Sequence, residues 1–297
     1  MTSKKVSTTR ESQKTTRKLT TTTSKSSSVS TTVHPGPCTP LSSTTLLFAY
    51  SNDFDQSFVT DVINNYLKNE ISPHYTTFAS IRFDTKAQGD FGYFTNFRDI
   101  ALYAQNHPPQ PSLGFASNNS GSDVLRMIDR FLDNTRVPVC GSRMIIYAKR
   151  YPNETDYSQI VAKMRQHHVY LSILASTFPS GGYHPETLYD IASKTNGMCE
   201  LDSDVDMEKA VDQTVSNPYL VYAANPIVSG SGRVSLPVLS VLQNQHGNII
   251  SNEYTLNSIP YGMQLQYGYS DSKQRKLHIR IYMKQDNLID YWLPYDN

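Results

Sequence analysis

Leu46-Leu47-Phe48-Ala49-Tyr50 runs directly into Ser51-Asn52-Asp53-Phe54-Asp55, and this junction decides the fold. A continuous apolar run of this length suits a strand buried on both faces, as in a parallel sheet. The segment that follows, 56–71, places Phe58, Val59, Val62, Ile63, Tyr66 and Leu67 at helical spacing, and Pro73 stops it. Strand, short polar loop and helix form the first half of a β-α-β unit.

The same alternation continues outward from the junction. A strand is predicted over 77–83, helices over 95–104 and 123–132, and a strand over 144–148. A helix over 156–166, a strand over 169–175, a helix over 185–194, a short strand over 198–201 and a last helix over 205–215 complete the series. This is the pattern of an α/β domain over 44–217, with a doubly wound, mostly parallel sheet and helices on both faces. After Asn217-Pro218 the period changes to two, most clearly where Leu277, Ile279, Ile281 and Met283 alternate with polar residues. Runs at 219–223, 234–242, 249–256 and 263–269, with turn signals at His246-Gly-Asn248 and Ser270-Asp-Ser272, make 218–297 a small all-β, sandwich-like domain. Tyr261, Tyr267, Tyr269, Tyr282, Tyr291 and Trp292 fall there. They either present aromatic surface for sugar or protein contacts or fill the small core and its edges.

Residues 1–43 have a different character. Of the first 45 residues 24 are Ser or Thr, a composition that cannot bury a core, so the tail is expected to be disordered. It reads either as an O-glycosylated stalk or as an unmodified solvated tail. The first 45 residues hold seven Lys or Arg against one acid, whereas the remainder holds 20 basic and 25 acidic residues. A mildly acidic folded part argues against a nucleic-acid partner, which needs a cationic face. No apolar stretch approaches the roughly 20 residues of a bilayer span, and no secretory signal is visible in the given chain. The three cysteines match no zinc spacing. Cys38 and Cys140 each precede a predicted strand, so if those strands are parallel neighbours the two thiols share one end of the sheet; three buried free thiols is the alternative. Asn118-Asn-Ser120 and Asn153-Glu-Thr155 are acceptor sequences for N-glycosylation.

The order of elements, with an acidic loop after the first strand and a Gly-Ser loop before a helix, resembles a von Willebrand factor A domain over about 44–217. More narrowly, Leu47-Phe-Ala-Tyr-Ser-Asn-Asp53, Cys140-Gly-Ser142, Lys149-Arg-Tyr-Pro-Asn-Glu154, Ser180-Gly-Gly182 and Ala192-Ser-Lys-Thr-Asn-Gly197 resemble uncharacterised secreted nematode proteins with a degenerate A-type domain. These are often found beside C-type lectin domains. The resemblance implies an extracellular, non-enzymatic recognition or adhesion protein whose ligand site lies at the carboxyl ends of the strands. It also implies a place for a divalent cation, held by an Asp-x-Ser-x-Ser loop, a Thr from a second loop and an Asp from a third.

The residues of this chain depart from that set. Ser51, Asp53 and Asp55 keep the spacing with acid and hydroxyl exchanged, and Asn118 or Ser120 stands in place of the Thr. The third loop offers Lys149 and Arg150 where a carboxylate is needed. A hard cation wants oxygen ligands and anionic charge, so the expectation is no metal and no cofactor, with Lys149 or Arg150 pairing directly with Asp53 or Asp55. Ser51, Asp53, Asp55, Ser120, Lys149 and Arg150 are thus the candidate ligand-binding residues, for a protein or glycan partner. The plainer reading is N-capping by Ser51, Asp53 and Asp55 ahead of the helix and a solvated pair of cations. No catalytic set emerges: His167-His168 suits a helix end, and Gly230-Ser-Gly232 lacks the strand-turn-helix context of a nucleophile. A structural spacer, and last a metal-dependent hydrolase using Asp53 and Asp55, stand as alternatives.

Overall fold

Every residue of β1 (Thr44–Ser51) is buried, which follows from its place in the middle of a sheet covered on both sides. The computed structural model describes residues 37–66, 71–210, 213–239, 246–249, 252–255, 260–284 and 289–295; all fall in the unit spanning 35–297. The expectations for 1–36 lie outside the described residues. The chain continues through α1 (Gln56–Tyr66), β2 (Tyr75–Phe83), β3 (Gly92–Phe94), α2 (Asp99–Asn106), α3 (Val124–Leu132), β4 (Arg143–Ala148), α4 (Ser158–Gln166), β5 (Tyr170–Ser176), α5 (Pro185–Lys194), β6 (Met198–Asp202) and α6 (Asp204–Lys209). The sheet order is β3-β2-β1-β4-β5-β6. All pairings are parallel except that of β3, an antiparallel edge strand.

Alternation along β1 sorts the core into two layers. Leu47 and Ala49 join Met144, Ile146, Leu171 and Ile173 beneath α3, α4 and α5. Leu46, Phe48 and Tyr50 face the other way, with Ile145 and Tyr147, toward α1, α2 and α6. In α3, Val124, Leu125, Met127, Ile128, Phe131 and Leu132 are all buried; truncating a fully buried Phe such as Phe131 to Ala costs about 3–5 kcal/mol.

Two helix boundaries differ from the periodicity. The helix expected over 95–104 begins at Asp99, because Asn96 turns the chain first, its Oδ1 accepting from Arg98 N at 3.0 Å, and the residues just before form β3. The helix expected over 205–215 is α6, which stops at Lys209; a separate 3-10 turn spans Gln213–Ser216.

Beyond residue 218 come β7 (Tyr219–Ala224), β8 (Ile227–Val228), β9 (Ser231–Leu239), β10 (His246–Ile249), β11 (Asn252–Thr255), β12 (Tyr261–Gly268), β13 (Arg275–Lys276) and β14 (Ile279–Lys284). A four-stranded sheet, β11-β10-β14-β7, accompanies the two-stranded pairs β12-β9 and β13-β8. Val221, Ile281 and Met283 of the larger sheet cluster with Leu239, Met263 and Tyr261 of the β9–β12 ribbon. The turn expected at His246-Gly-Asn248 is instead strand β10, antiparallel to β11 with Ile249 paired to Asn252. Of the two readings for the aromatic residues, Tyr282 takes the buried one, packed against Tyr170 and Met198 of the α/β sheet.

The two parts are joined by buried polar contacts. Arg280 donates from Nε to Asn196 O at 2.9 Å, from Nη1 to Ala224 O at 3.0 Å and from Nη2 to Asn225 Oδ1 at 2.8 Å. His278 contacts Ser193 Oγ at 2.6 Å and stacks on Tyr189, ring centroids 4.1 Å apart; burial holds its pKa at about 3. Trp292 stacks on His168 at 4.4 Å. At the amino end of the sheet a disulfide joins Cys38, ahead of β1, to Cys140, ahead of β4, with Cα atoms 5.5 Å apart. Cys199 is a buried free thiol whose pKa burial pushes up to about 12, a setting that makes a thiol inert.

Candidate functional site: the carboxyl end of the sheet

The strand order reverses between β1 and β4, and ligand crevices of open α/β sheets lie at the carboxyl ends of the strands at such a switch. The loops leaving β1 and β4 flank that point here, carrying Ser51–Asp55 from one side and Lys149–Glu154 from the other.

Arg150 and Asp53 meet. Arg150 Nε donates to Asp53 Oδ2 at 2.8 Å, and the side chains are 3% and 11% exposed. Arg150 Nη1 donates to the carbonyls of Ser117 and Ser120 at 2.9 and 2.7 Å, and the guanidinium lies over Phe115, 5.5 Å from its centroid. Ser180 Oγ donates to the same Asp53 oxygen at 2.5 Å. The loop after β5 supplies the room for this: a Cβ at Gly181 would collide with Arg150 Nη1, and Gly182, at φ +78°, would drive one into the Tyr151 carbonyl. Side chains rarely adopt that backbone region.

Lys149 goes elsewhere. Its Nζ donates to Asp204 Oδ2 at 2.5 Å and to Ser176 Oγ at 3.1 Å. Ser176 Oγ in turn donates to Asp204 Oδ1 at 2.5 Å. Asp55 is exposed and immediately precedes α1; its carbonyl accepts from Val59 N at 3.3 Å. Ser120 contributes only its carbonyl to Arg150 among the described contacts. Asn118 and Asn153 are exposed on the bordering loops; the Asn118 carbonyl accepts from Gly182 N at 3.0 Å, and Asn153 Nδ2 donates to Asn119 O at 2.8 Å.

The centre of the arrangement is a residue the sequence pattern does not single out. Asp84 follows β2, is fully buried, and takes φ 60°, a left-handed conformation that Asp tolerates better than most residues. The Ser51 and Ser122 hydroxyls donate to its two oxygens at 2.5 and 2.6 Å. Asp123 N adds a bond to Oδ1 at 3.1 Å, and Asp84 N returns one to Asp123 Oδ1 at 2.7 Å. Burial raises the Asp84 pKa to about 7; the two hydroxyls pull it down, and the Asp123 and Asp53 carboxylates push it up. Ser122, rather than Ser120, is the hydroxyl of the second loop that points to the centre. Asp84 was hidden because it ends an apolar strand in a segment without motif spacing; a lone acid after a buried strand was the available signal.

These residues do not fit a hard divalent ion. Such an ion needs six to eight oxygens, yet Asp53 is already taken by a guanidinium and a hydroxyl, and the Ser51 and Ser122 hydroxyls point their protons at Asp84. Among the described residues no group of three or more His, Cys, Asp or Glu is placed to hold a metal.

No protein-family model matches the chain, and no curated protein matches it. Among solved structures it is similar to a von Willebrand factor type A protein from Catenulispora acidiphila, at 12% identity and TM-score 0.39, over 83% of this chain and 59% of that one. It is similar to the human COPII-coat protein Sec24c at 9% identity and TM-score 0.39, over 84% of this chain and 40% of that one. A third similar structure is the conserved hypothetical protein BatB from Bacteroides thetaiotaomicron, at 12% identity and TM-score 0.38, over 58% of this chain and 97% of that one. The chain thus spans less than two thirds of each of the first two, 59% and 40%. The von Willebrand factor A-like fold of the α/β part rests on its strand order, with helices on both faces and an antiparallel edge strand, and not on these scores.

Proposed function

We propose that the chain is an extracellular, non-enzymatic recognition or adhesion protein that contacts a protein or glycan directly, without a bridging metal, through the loops at the carboxyl end of the sheet. The observation that carries this reading is the Arg150–Asp53 pair: an internal cation neutralises the carboxylate that a metal would otherwise need to neutralise. The loop that supports the pair also exposes large aromatic surface, Phe178 at 70% and Tyr183 at 59%, a type of side chain enriched in binding interfaces. The Cys38–Cys140 disulfide suits an oxidising compartment. Among the described residues no helix is long and apolar enough to cross a membrane. Glycans on the exposed Asn118 and Asn153 would border the loops without occupying Asp53. Catalysis is disfavoured because Asp84 is sealed from solvent and both hydroxyls beside it are already engaged.

The test is capture of the full chain on arrays of extracellular proteins and glycans, with and without EDTA. Binding that survives EDTA and weakens in Phe178→Ala or Tyr183→Ala supports the reading. Calorimetric heat on adding Ca²⁺, Mg²⁺ or Mn²⁺, or EDTA-sensitive capture, overturns it. A structural spacer is the second reading, favoured by the Arg280 and His278 contacts that fix the β-rich part to the α/β part. It predicts stable self-association in sedimentation.

A further inference from the structure

A cavity of about 430 Å³ opens beside the end of β2, between β3, α2 and the turn at Pro111–Leu113. It lies within the size range of small-ligand pockets. Two cations line it, Arg82 and Lys86. Neither belongs to an ion pair among the described residues; their side chains donate to backbone carbonyls, Arg82 Nη1 to Pro108 O and Lys86 Nζ to Ser112 O at 3.2 Å. Lys149, Arg150 and Lys163, by contrast, each face a carboxylate: Asp204, Asp53, and Asp129 with Asp133. Asp90 is the one acid lining the cavity, so its walls carry a net positive charge.

The other wall is aromatic. Phe91 and Tyr103 line it, both half-buried, and Tyr103 is fixed by its hydroxyl donating to Asp90 O at 2.9 Å and by stacking on His107 at 4.1 Å. His107 Nδ1 sits 2.9 Å from the Tyr103 carbonyl. A carbonyl only accepts, so Nδ1 carries the proton and Nε2 is left as an acceptor. Gly92 lets Phe94 and Tyr103 pack closely against the backbone, since a Cβ there would collide with both.

Cations without carboxylate partners call for an anion, held best by charge-assisted hydrogen bonds. Aromatic faces call for an apolar ring face, and the Ser112 hydroxyl with His107 Nε2 calls for ligand hydroxyls. We propose that this cavity is a second binding site, for an acidic sugar residue, taking its carboxylate on Arg82 and Lys86 and its ring face on Phe91 and Tyr103. The site uses neither Asp53 nor Arg150 and stands independently of the reading above.

Titration of the full chain, followed by NMR, with glucuronate, glucose and inorganic phosphate tests this. Glucuronate is expected to bind with a dissociation constant on the order of millimolar, and glucose at least roughly tenfold more weakly, having lost the charged contact. Lys86→Ala, an exposed position, is expected to weaken glucuronate roughly three- to tenfold and leave glucose unchanged; Arg82→Lys, which keeps a donor for Pro108 O, is expected to weaken it as well. Equal affinity for glucuronate and glucose, phosphate binding as tightly as glucuronate, no binding at all, or glucuronate binding unchanged in both variants would each overturn the proposal.

Discussion

Two buried arginines of this molecule, Arg150 and Arg280, are satisfied in different ways. Arg150, at the carboxyl end of the sheet, faces a carboxylate and two backbone carbonyls, and Arg280, at the junction with the β-rich part, faces three backbone carbonyls and an amide oxygen but no carboxylate. A guanidinium has five donors in a fixed fork, so either environment can hold it. The consequences differ. Neutral oxygens on several segments fasten those segments together, and burial lowers the Arg280 pKa, an effect that Tyr282 and Tyr189 partly oppose. A carboxylate concentrates the attraction in one pair, leaving a local neutral spot among loops that otherwise end in open solvent. The first arrangement is a joint and the second is a plug.

Breaking the plug has the largest expected effect. Arg150→Ala leaves Asp53 buried without its cation and should cost about 3–5 kcal/mol in chemical denaturation. A double change to Asp53→Leu with Arg150→Met should recover most of that loss; if the single variant is near wild-type stability, the pair is not what holds the loops. Breaking the joint comes next. Arg280→Met strands carbonyl oxygens and should cost about 2–3 kcal/mol, with faster amide exchange in β7 and β14 than in β1. Uniform exchange would argue that the two parts do not meet through Arg280.

A third measurement separates Asp84 from both. Its folded pKa of about 7 lies above the ordinary value of 3.8, so the native state holds a proton that the unfolded state releases. This contribution is fully present below about 4 and is lost as pH rises through 7. Between pH 7.5 and 5.5 it should add about 1–2 kcal/mol of stability on acidification. Asp84→Asn should remove that slope, and an unchanged slope would assign the effect to another group. The smallest effect belongs to Lys149→Ala. Asp204 is 37% exposed, solvent screens the pair, and the loss should stay below about 1 kcal/mol.

The alternation of strands and helices was legible because β1, β4 and β5 are nearly solid apolar runs and α3 has an unbroken stripe. Boundaries failed where a local side-chain bond overruled periodicity, as Asn96 does ahead of α2. His246-Gly-Asn248 misled for a related reason: its residues favour turns, yet strand pairing with β11 and β14 holds them extended. At the site, a pairing of Lys149 or Arg150 with an acid of the first loop could be read from the sequence, and Arg150 meets Asp53. Which of the two turns inward could not, since that depends on Ser176 and Asp204 capturing Lys149 from other elements. Asp84 was invisible for the same reason; its partners come from two loops 33 and 38 residues away in sequence.

The sulfur bridge has a mechanical consequence. A pull arriving from the N-terminal side reaches Cys38 and passes through the bridge to the start of β4, bypassing β1, α1, β2 and α3 altogether. The segment between the cysteines, a sequence separation of 102, is excluded from the load path. Asp53 and Asp84 lie within it, so half of the carboxyl-end loops stay outside the covalent path of the load. Stretched in a force spectrometer, the oxidised chain should come up short of the reduced one by the length of that segment, at about 3.3–3.6 Å per residue.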